Sequence, residues 1–473
     1  MNFSGFDRST WHPRSVTSHR QNIKEIQQCQ TKTARAAKES KFGCRYSVLI
    51  KLPYFDPIKM LVIDPMHNLF LGTGKHMVNL WLQLDLVTKH DFQSLQRTVD
   101  ATVVPSDVGR VPRKIETGFS GFTADQFKNW ITVYSIPALH GILPSEHLEC
   151  WRHFVLACRI LCQSTLSLDD VTLADALLLA FCRRVERMYG ESAITPNMHL
   201  HGHLRDVLKD YGPVQEFWLF SYERYNGILG HQPTNNKLVE PQLMKRFLQD
   251  NLAYSFSFPS DFEQDFTSAC QFHDQWICGS TLCTNSPTPD EQYHIPTRST
   301  RGTLCAQDQT LISLLYQRLH QTTYHISVNA IFQKYSSIEI RGKRYNTGWQ
   351  SIALVKWDND LFLDQPTISE ETLHHNSNCR PVKVHYFAKV SFCIGDHTSS
   401  SDSQGSILLS VVSWYFPHTC RHVLGKPVEV WNPSMFEAHG VYSFVPVHLF
   451  VARCAYCVKV VESESLLLVP LVE

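Results

Sequence analysis

The chain has 473 residues and a hydrophobic fraction of 43%, which excludes a disordered protein and suits two to four domains of about 100–200 residues each. Lys plus Arg and Asp plus Glu balance at 44 each, so net charge gives no support to nucleic-acid binding and any basic surface has to be local. The 15 cysteines follow a polar, basic start that lacks the apolar segment of a secretory signal, which points to reduced thiols in an intracellular protein. No apolar run reaches the roughly 18–20 residues that span a bilayer, so the sequence reads as soluble.

Residues 1–43 are polar and basic and begin abruptly at MNFSGFDRSTW. Gln21 to Ser40 suits a solvated helix with little apolar face, so this stretch reads as a polar N-terminal remnant. In the next stretch, Leu69, Phe70, Thr73, His76, Met77, Leu80, Trp81 and Leu84 recur at helical spacing. Asp64 suits the N-cap of that helix and Pro65 its first position. Asp64-x-x-His67 also places a carboxylate and an imidazole within reach of one ion, although a capping Asp beside an ordinary histidine is the plainer reading.

Residues 105–130 read as a loop entering a helix, with Thr123 and Gln126 as a capping box. Arg110, Arg113 and Lys114 cluster there beside Phe119 and Phe122, and Lys128 follows in the helix. These four cations are candidates for gripping a phosphate backbone, against the plainer reading of a solvated loop. Helices opened by Pro144-Ser145 and by Ser167 come next, the second ended by Gly190. Cys150, Cys158, Cys162 and Cys182 lie on their apolar faces as small core residues.

The stretch TPNMHLHGHLRDVLKDYGPVQEFWLFSYERYNGILG, residues 195–230, reads as two helices around a Gly212-Pro213 break, with Thr195 as N-cap and Pro196 at the first position. His199 and His203, four apart, share a helical face, whereas His201 lies about 200° around from His199 and faces elsewhere. Glu223 stands among Phe217, Trp218, Phe220 and Tyr222, a setting in which a buried carboxylate would have to be paired, ligating or catalytic. Residues 231–252 turn polar and then helical, and residues 256–322 lose periodicity and read as a linker. From 323 to 473 the period switches to two, predicting a small all-β domain. Cys454-Ala-Tyr-Cys457 lies inside one such strand, where packing outweighs zinc because no second pair has the matching spacing. The chain has no internal repeat, Walker loop, dinucleotide fingerprint, GxSxG or HExxH.

Three long strings carry a resemblance: YFDPIKMLVIDPMHNLFLGTGKHM, VPSDVGRVPRKIETGFSGFTADQFKNW and the stretch from Thr195 to Gly230. Together they resemble the transposases of CACTA (En/Spm-type) DNA transposons as found in animal genomes, from about Phe3 to the C-terminus. The resemblance implies an RNase H-like core, three metal-binding carboxylates, and paired Mg²⁺ or Mn²⁺ acting on phosphodiester bonds. It makes residues from about 64 to 215 a helical insertion, with Glu223 on the return helix as the third carboxylate. The family's first two catalytic aspartates precede the segment matching Ser4-Gly-Phe-Asp7, and none of Asp7, Asp56 or Asp64 sits in a matching catalytic motif.

The expected function is therefore a transposase-derived fragment, not an active nuclease as given. The alternatives are an exapted DNA-binding or protein-interaction module, and an active nuclease if an upstream exon supplies the aspartates. The resemblance also implies a nuclear location and DNA or protein partners, with no small-molecule substrate. By analogy with related enzymes, one structural zinc is expected on Asp64, His67, His199 and His203, clamping the two ends of the insertion. Hydrogen-bonded core histidines are the competing expectation. The expected fold class is α+β, with a mainly helical part over residues 44–255 and the all-β domain at the C-terminus.

Overall fold

The computed structural model describes residues 5–254 apart from 12, 107, 110 and 236, then 280–282, 293–356 apart from 297, 349 and 350, and finally 379–395, 403–461 and 464–471. The chain divides into two compact units: Met1–Asp100 with Val108–His231 and the last two residues, and Ala101–Asp107 with Gln232–Leu471. The first unit is helical and the second is dominated by strands, which is the α+β composition that the hydrophobic periods predict.

In the helical unit, α1 (Val16–Gln27) and α2 (Lys32–Phe42) are followed by a π-wound segment, Met66–Gly74, that runs directly into α3 (Lys75–Gln83). Next come α4 (Asp91–Ala101), α5 (Ala124–Asn129), α6 (Ser135–Leu139), α7 (Ser145–Leu161), α8 (Leu168–Tyr189), α9 (Pro196–Tyr211) and α10 (Phe220–Gly230). The local signals in the sequence do their expected work. Thr123 and Gln126 close a capping box on α5, and Ser167 and Asp170 close one on α8. The Thr195 side chain accepts from the Met198 N–H, Pro196 opens α9, and Gly212 ends it at φ 83°. The core holds Phe70, Trp81, Phe127, Trp130, Tyr134, Trp151, Phe154 and Phe181, all essentially inaccessible to solvent.

The expected solvated helix is two helices, of which α2 buries no residue while α1 turns an apolar edge inward. Ile23 and Ile26 of α1 are buried with Cys44, against Phe42, Tyr46 and Ile50. Burying each isoleucine contributes about 1.5–3 kcal/mol. The apolar face is short, which is why the polar composition hid it.

The second unit opens with α11 (Val239–Tyr254), and α12 (Ala306–Leu319) lies further on among the strands. Its strands are β1 (Ser280–Leu282), β2 (Tyr293–Ile295), β3 (Thr300–Thr303), β4 (His325–Val328), β5 (Ile331–Tyr335), β6 (Ser337–Ile340) and β7 (Lys343–Asn346). They continue with β8 (Ile352–Lys356), β9 (Cys379–Gly395), β10 (Ser403–Pro417), β11 (Glu429–Phe436), β12 (Phe444–Pro446), β13 (Phe450–Val460) and β14 (Glu464–Pro470). Among the described residues they form a four-stranded sheet, β1-β2-β6-β7, and a ten-stranded sheet built around the long antiparallel β9–β10 pair.

The expected linker therefore contains β2, β3 and α12, which pack into this unit; its stretches 255–279 and 283–292 lie outside the described residues. Residues 101–107 also belong here, because Val103 exchanges backbone hydrogen bonds with Tyr456 of β13. Cys454 and Cys457 are both buried, since β13 is covered on both faces, and every cysteine among the described residues is unbridged. Packing is thus the role of this CxxC. Among the described residues no helix is long and apolar enough to cross a membrane.

Candidate functional site

Asp64 lies just before the π-wound segment and uses its whole carboxylate locally. Oδ1 accepts the N–H of Met66 at 3.1 Å, and Oδ2 accepts the N–H of His67 at 3.0 Å. Oδ1 also accepts the N–H of Leu219 at 3.0 Å, across 155 residues of sequence. Leu219 is the cap of α10, so one aspartate caps two helices and fixes the start of the second. The fourth acceptor position faces the ring of His67, whose Nδ1 lies 2.5 Å from Oδ2. A carboxylate offers about four lone-pair directions, and all four are engaged.

The other nitrogen of His67, Nε2, lies 3.8 Å from Oε1 of Glu223. The structure thus joins Asp64, His67 and Glu223 in a row: a carboxylate orienting an imidazole, and the imidazole facing a second carboxylate. The His67 and Glu223 side chains are 50% and 59% exposed, so water screens their attraction. The exposure also corrects the expectation of a carboxylate buried among aromatics. No residue of α10 is buried, and Tyr222 and Tyr225 project into solvent.

Comparison with protein-family models, with curated proteins and with solved structures finds no match.

His199 and His203 lie with their ring centroids 5.3 Å apart on the shared face of α9. Trp11 covers both, at 5.1 Å and 5.2 Å. It can do so because Gly202 lies between them: a Cβ there would stand 2.2 Å from the Trp11 ring. Arg8 fastens the same segment with a two-pronged ion pair to buried Asp175, at 2.5 and 2.6 Å, and a bond to the Gly202 carbonyl. Burial holds His199 and His203 below the usual histidine range; for His203 the charges of His199 and Arg8 add to the effect.

Of the four expected zinc ligands, Asp64 touches His67 and His199 lies beside His203. Among the described residues no group of three or more His, Cys, Asp or Glu side chains is arranged to hold a metal ion.

His201, set aside by its helical angle, is the histidine at the centre of the core. It is fully buried, with Nε2 3.1 Å from Thr73 Oγ1 and Nδ1 3.5 Å from Cys182 Sγ, and it stacks on Phe154. Its bonds tie together the π-wound segment, α8 and α9. Burial pushes its pKa down to about 3, so it is neutral. The sequence does carry a signal for it: Met198, His201, Leu204 and Leu208 follow helical spacing, and all are buried. Arg8 and Trp11 had no comparable signal, because their partners lie more than 160 residues away.

The candidate DNA contacts divide. Arg113 and Lys114 are exposed, Lys114 at φ 63°, while Arg110 lies outside the described residues. Lys128 is engaged, 3.1 Å from Asp125 and stacked over Trp218 and Phe220 at 5.6 and 5.4 Å. It braces the approach to α10 instead of reaching for phosphate. Phe119 and Phe122 are buried in a ring cluster with Phe92, Phe127 and Trp130, so they are not available to stack on bases.

Proposed function

We propose that the chain is a transposase-derived protein of the CACTA type that does not itself cleave DNA. In this reading residues from about 64 to 215 are the insertion, and α10 is the return to the RNase H-like core, with Glu223 as the third carboxylate. The observation that carries the reading is the meeting of the two ends: Asp64 accepts from Leu219, and His67 faces Glu223. An insertion must leave and re-enter a core at neighbouring points, and these residues do so. The absence of cleavage follows from the donor set, because one exposed glutamate beside a saturated aspartate cannot hold two divalent ions. A DNA-binding role for the same protein, acting in the nucleus, is favoured by the neighbouring exposed cations Arg113 and Lys114.

The test is to incubate the purified chain with duplex DNA and Mg²⁺ or Mn²⁺, and to measure strand cleavage and binding together. The expected result is no cleavage, with DNA affinity that falls steeply with salt and weakens in Arg113→Gln/Lys114→Gln. Nicking that disappears in Glu223→Gln would overturn the non-catalytic reading. Binding that ignores salt and both cations would remove the DNA role and leave protein partners. Sequencing the transcript upstream of Met1, and repeating the assay with any longer chain, tests the kinship itself. Glu223-dependent cleavage by such a chain is the outcome that supports it.

A further inference from the structure

Residues 5–11 close on themselves. Asp7 caps the short turn Arg8–Thr10, accepting the Ser9 N–H at 3.0 Å. Trp11 Nε1 donates to the Gly5 carbonyl at 3.0 Å, which joins the two ends of the segment. This plug runs antiparallel to α8. Gly5 N–H donates to Glu186 at 3.2 Å, the Phe6 carbonyl accepts from Arg183 at 2.9 Å, and Arg8 pairs with Asp175. The other wall is α9, met by the bond from Arg8 to the Gly202 carbonyl and by the Trp11 ring over His199 and His203.

Three side chains of the plug carry the fit. Phe6 is 2% exposed, Arg8 supplies the cation for Asp175, and Trp11 fills the space over Gly202. Asp7, Ser9 and Thr10 are exposed, and their side chains bond within the plug. The walls are shaped for these anchors. In a helix interior alanine is favoured over glycine by about 1 kcal/mol, yet a Cβ at Gly202 would collide with the Trp11 ring. Asp175 is 7% exposed, and a carboxylate so withdrawn from water demands a cation. An arginine fork satisfies both carboxylate oxygens, and a tryptophan buries a large rigid ring; these two residue types dominate the binding energy of protein interfaces.

We infer that the α8–α9 groove is a docking site for a partner peptide of the pattern Phe-x-Arg-x-x-Trp, and that residues 5–11 occupy it in cis. The plug holds its shape by its own hydrogen bonds, so the same pattern on another chain presents the same anchors already organised. A tethered segment acts at an effective concentration on the order of mM, so a free peptide enters only when the plug is weakened or withdrawn. The strength of the plug thereby sets the affinity for the partner. The inference uses no residue of the Asp64–Glu223 row and is independent of the transposase reading.

The test uses the capped, fluorescently labelled peptide Gly-Phe-Asp-Arg-Ser-Thr-Trp and the full chain, with binding read by anisotropy. The groove is opened by Arg8→Ala/Trp11→Ala, and thermal unfolding checks that the variant is folded. Where it is not, Trp11→Ala alone keeps the partner of Asp175 and takes its place. The expected result is saturable binding to the opened chain that is at least about tenfold tighter than to the wild type. A peptide carrying Arg8→Ala should lose about tenfold. Adding Gly202→Ala to the opened chain should abolish binding, although alanine suits the helix better. Equal affinity for the wild type and the opened chain, no binding to a folded opened chain, or binding untouched by Gly202→Ala and by the altered peptide overturns the inference.

Discussion

His201 and His67 belong to the same helical unit and have opposite surroundings. His201 has no exposed surface, both ring nitrogens engaged, and aromatic rings against its faces. The His67 side chain is half exposed, oriented by Asp64 and aimed at Glu223. The buried site resists protonation and holds three segments together; the exposed site is open to solvent. Buried polar networks stabilise a fold and exposed ones can act on something else, a division that follows from the dielectric around each group.

The largest expected effect tests the buried member. The unfolded chain binds a proton at His201 near pH 6.5, while the folded chain resists until about pH 3. Between those values the unfolded state holds more protons, so stability falls as pH drops through this window and is unaffected by this group above it. The loss reaches roughly 5 kcal/mol at the acid end. Chemical denaturation at stepped pH checks it, and His201→Phe should flatten the slope. Next, His201→Ala should destabilise the helical unit by about 3–4 kcal/mol at neutral pH, from the cavity and from the stranded Thr73 hydroxyl. A loss under about 1 kcal/mol would abolish the contrast with His67.

Arg8→Ala should cost about 2–3 kcal/mol, because Asp175 is left buried without its partner while Arg8 itself is a third exposed. Urea unfolding reads this directly. At the exposed site the effects shrink. Asp64→Ala removes the cap of two helices and should cost about 1–2 kcal/mol, with amide exchange quickened at Leu219 and along α10. Unchanged exchange at Leu219 would mean that Asp64 does not hold the return helix. Smallest of all, Glu223→Gln should shift stability by less than about 0.5 kcal/mol; a loss comparable to that of Asp64→Ala would mark Glu223 as structural.

The helix starts and stops were legible because a cap acts within one turn. Thr123, Ser167, Thr195, Gly190 and Gly212 stand at the predicted ends. The strands from 323 onward were legible for the same reason, since period two is local. The capping role of Asp64 could be read from its place before Pro65, but its second bond, to Leu219, could not. The histidines show the limit most plainly. Spacing correctly put His199 and His203 on one face and His201 on another, yet it did not say which face turned inward. His201 continues the apolar row of Met198, Leu204 and Leu208, and that row is what packs.

By itself the sequence determined the α+β composition, the position of most helix ends and the pairing of His199 with His203, because each depends on neighbours within a few residues. Only the tertiary structure decided that Asp64 reaches Leu219, that His67 faces Glu223, and that Arg8 and Trp11 close over α9. These contacts join residues more than a hundred positions apart. They exist because whole apolar faces found their partners first, and the polar groups met where that packing left them.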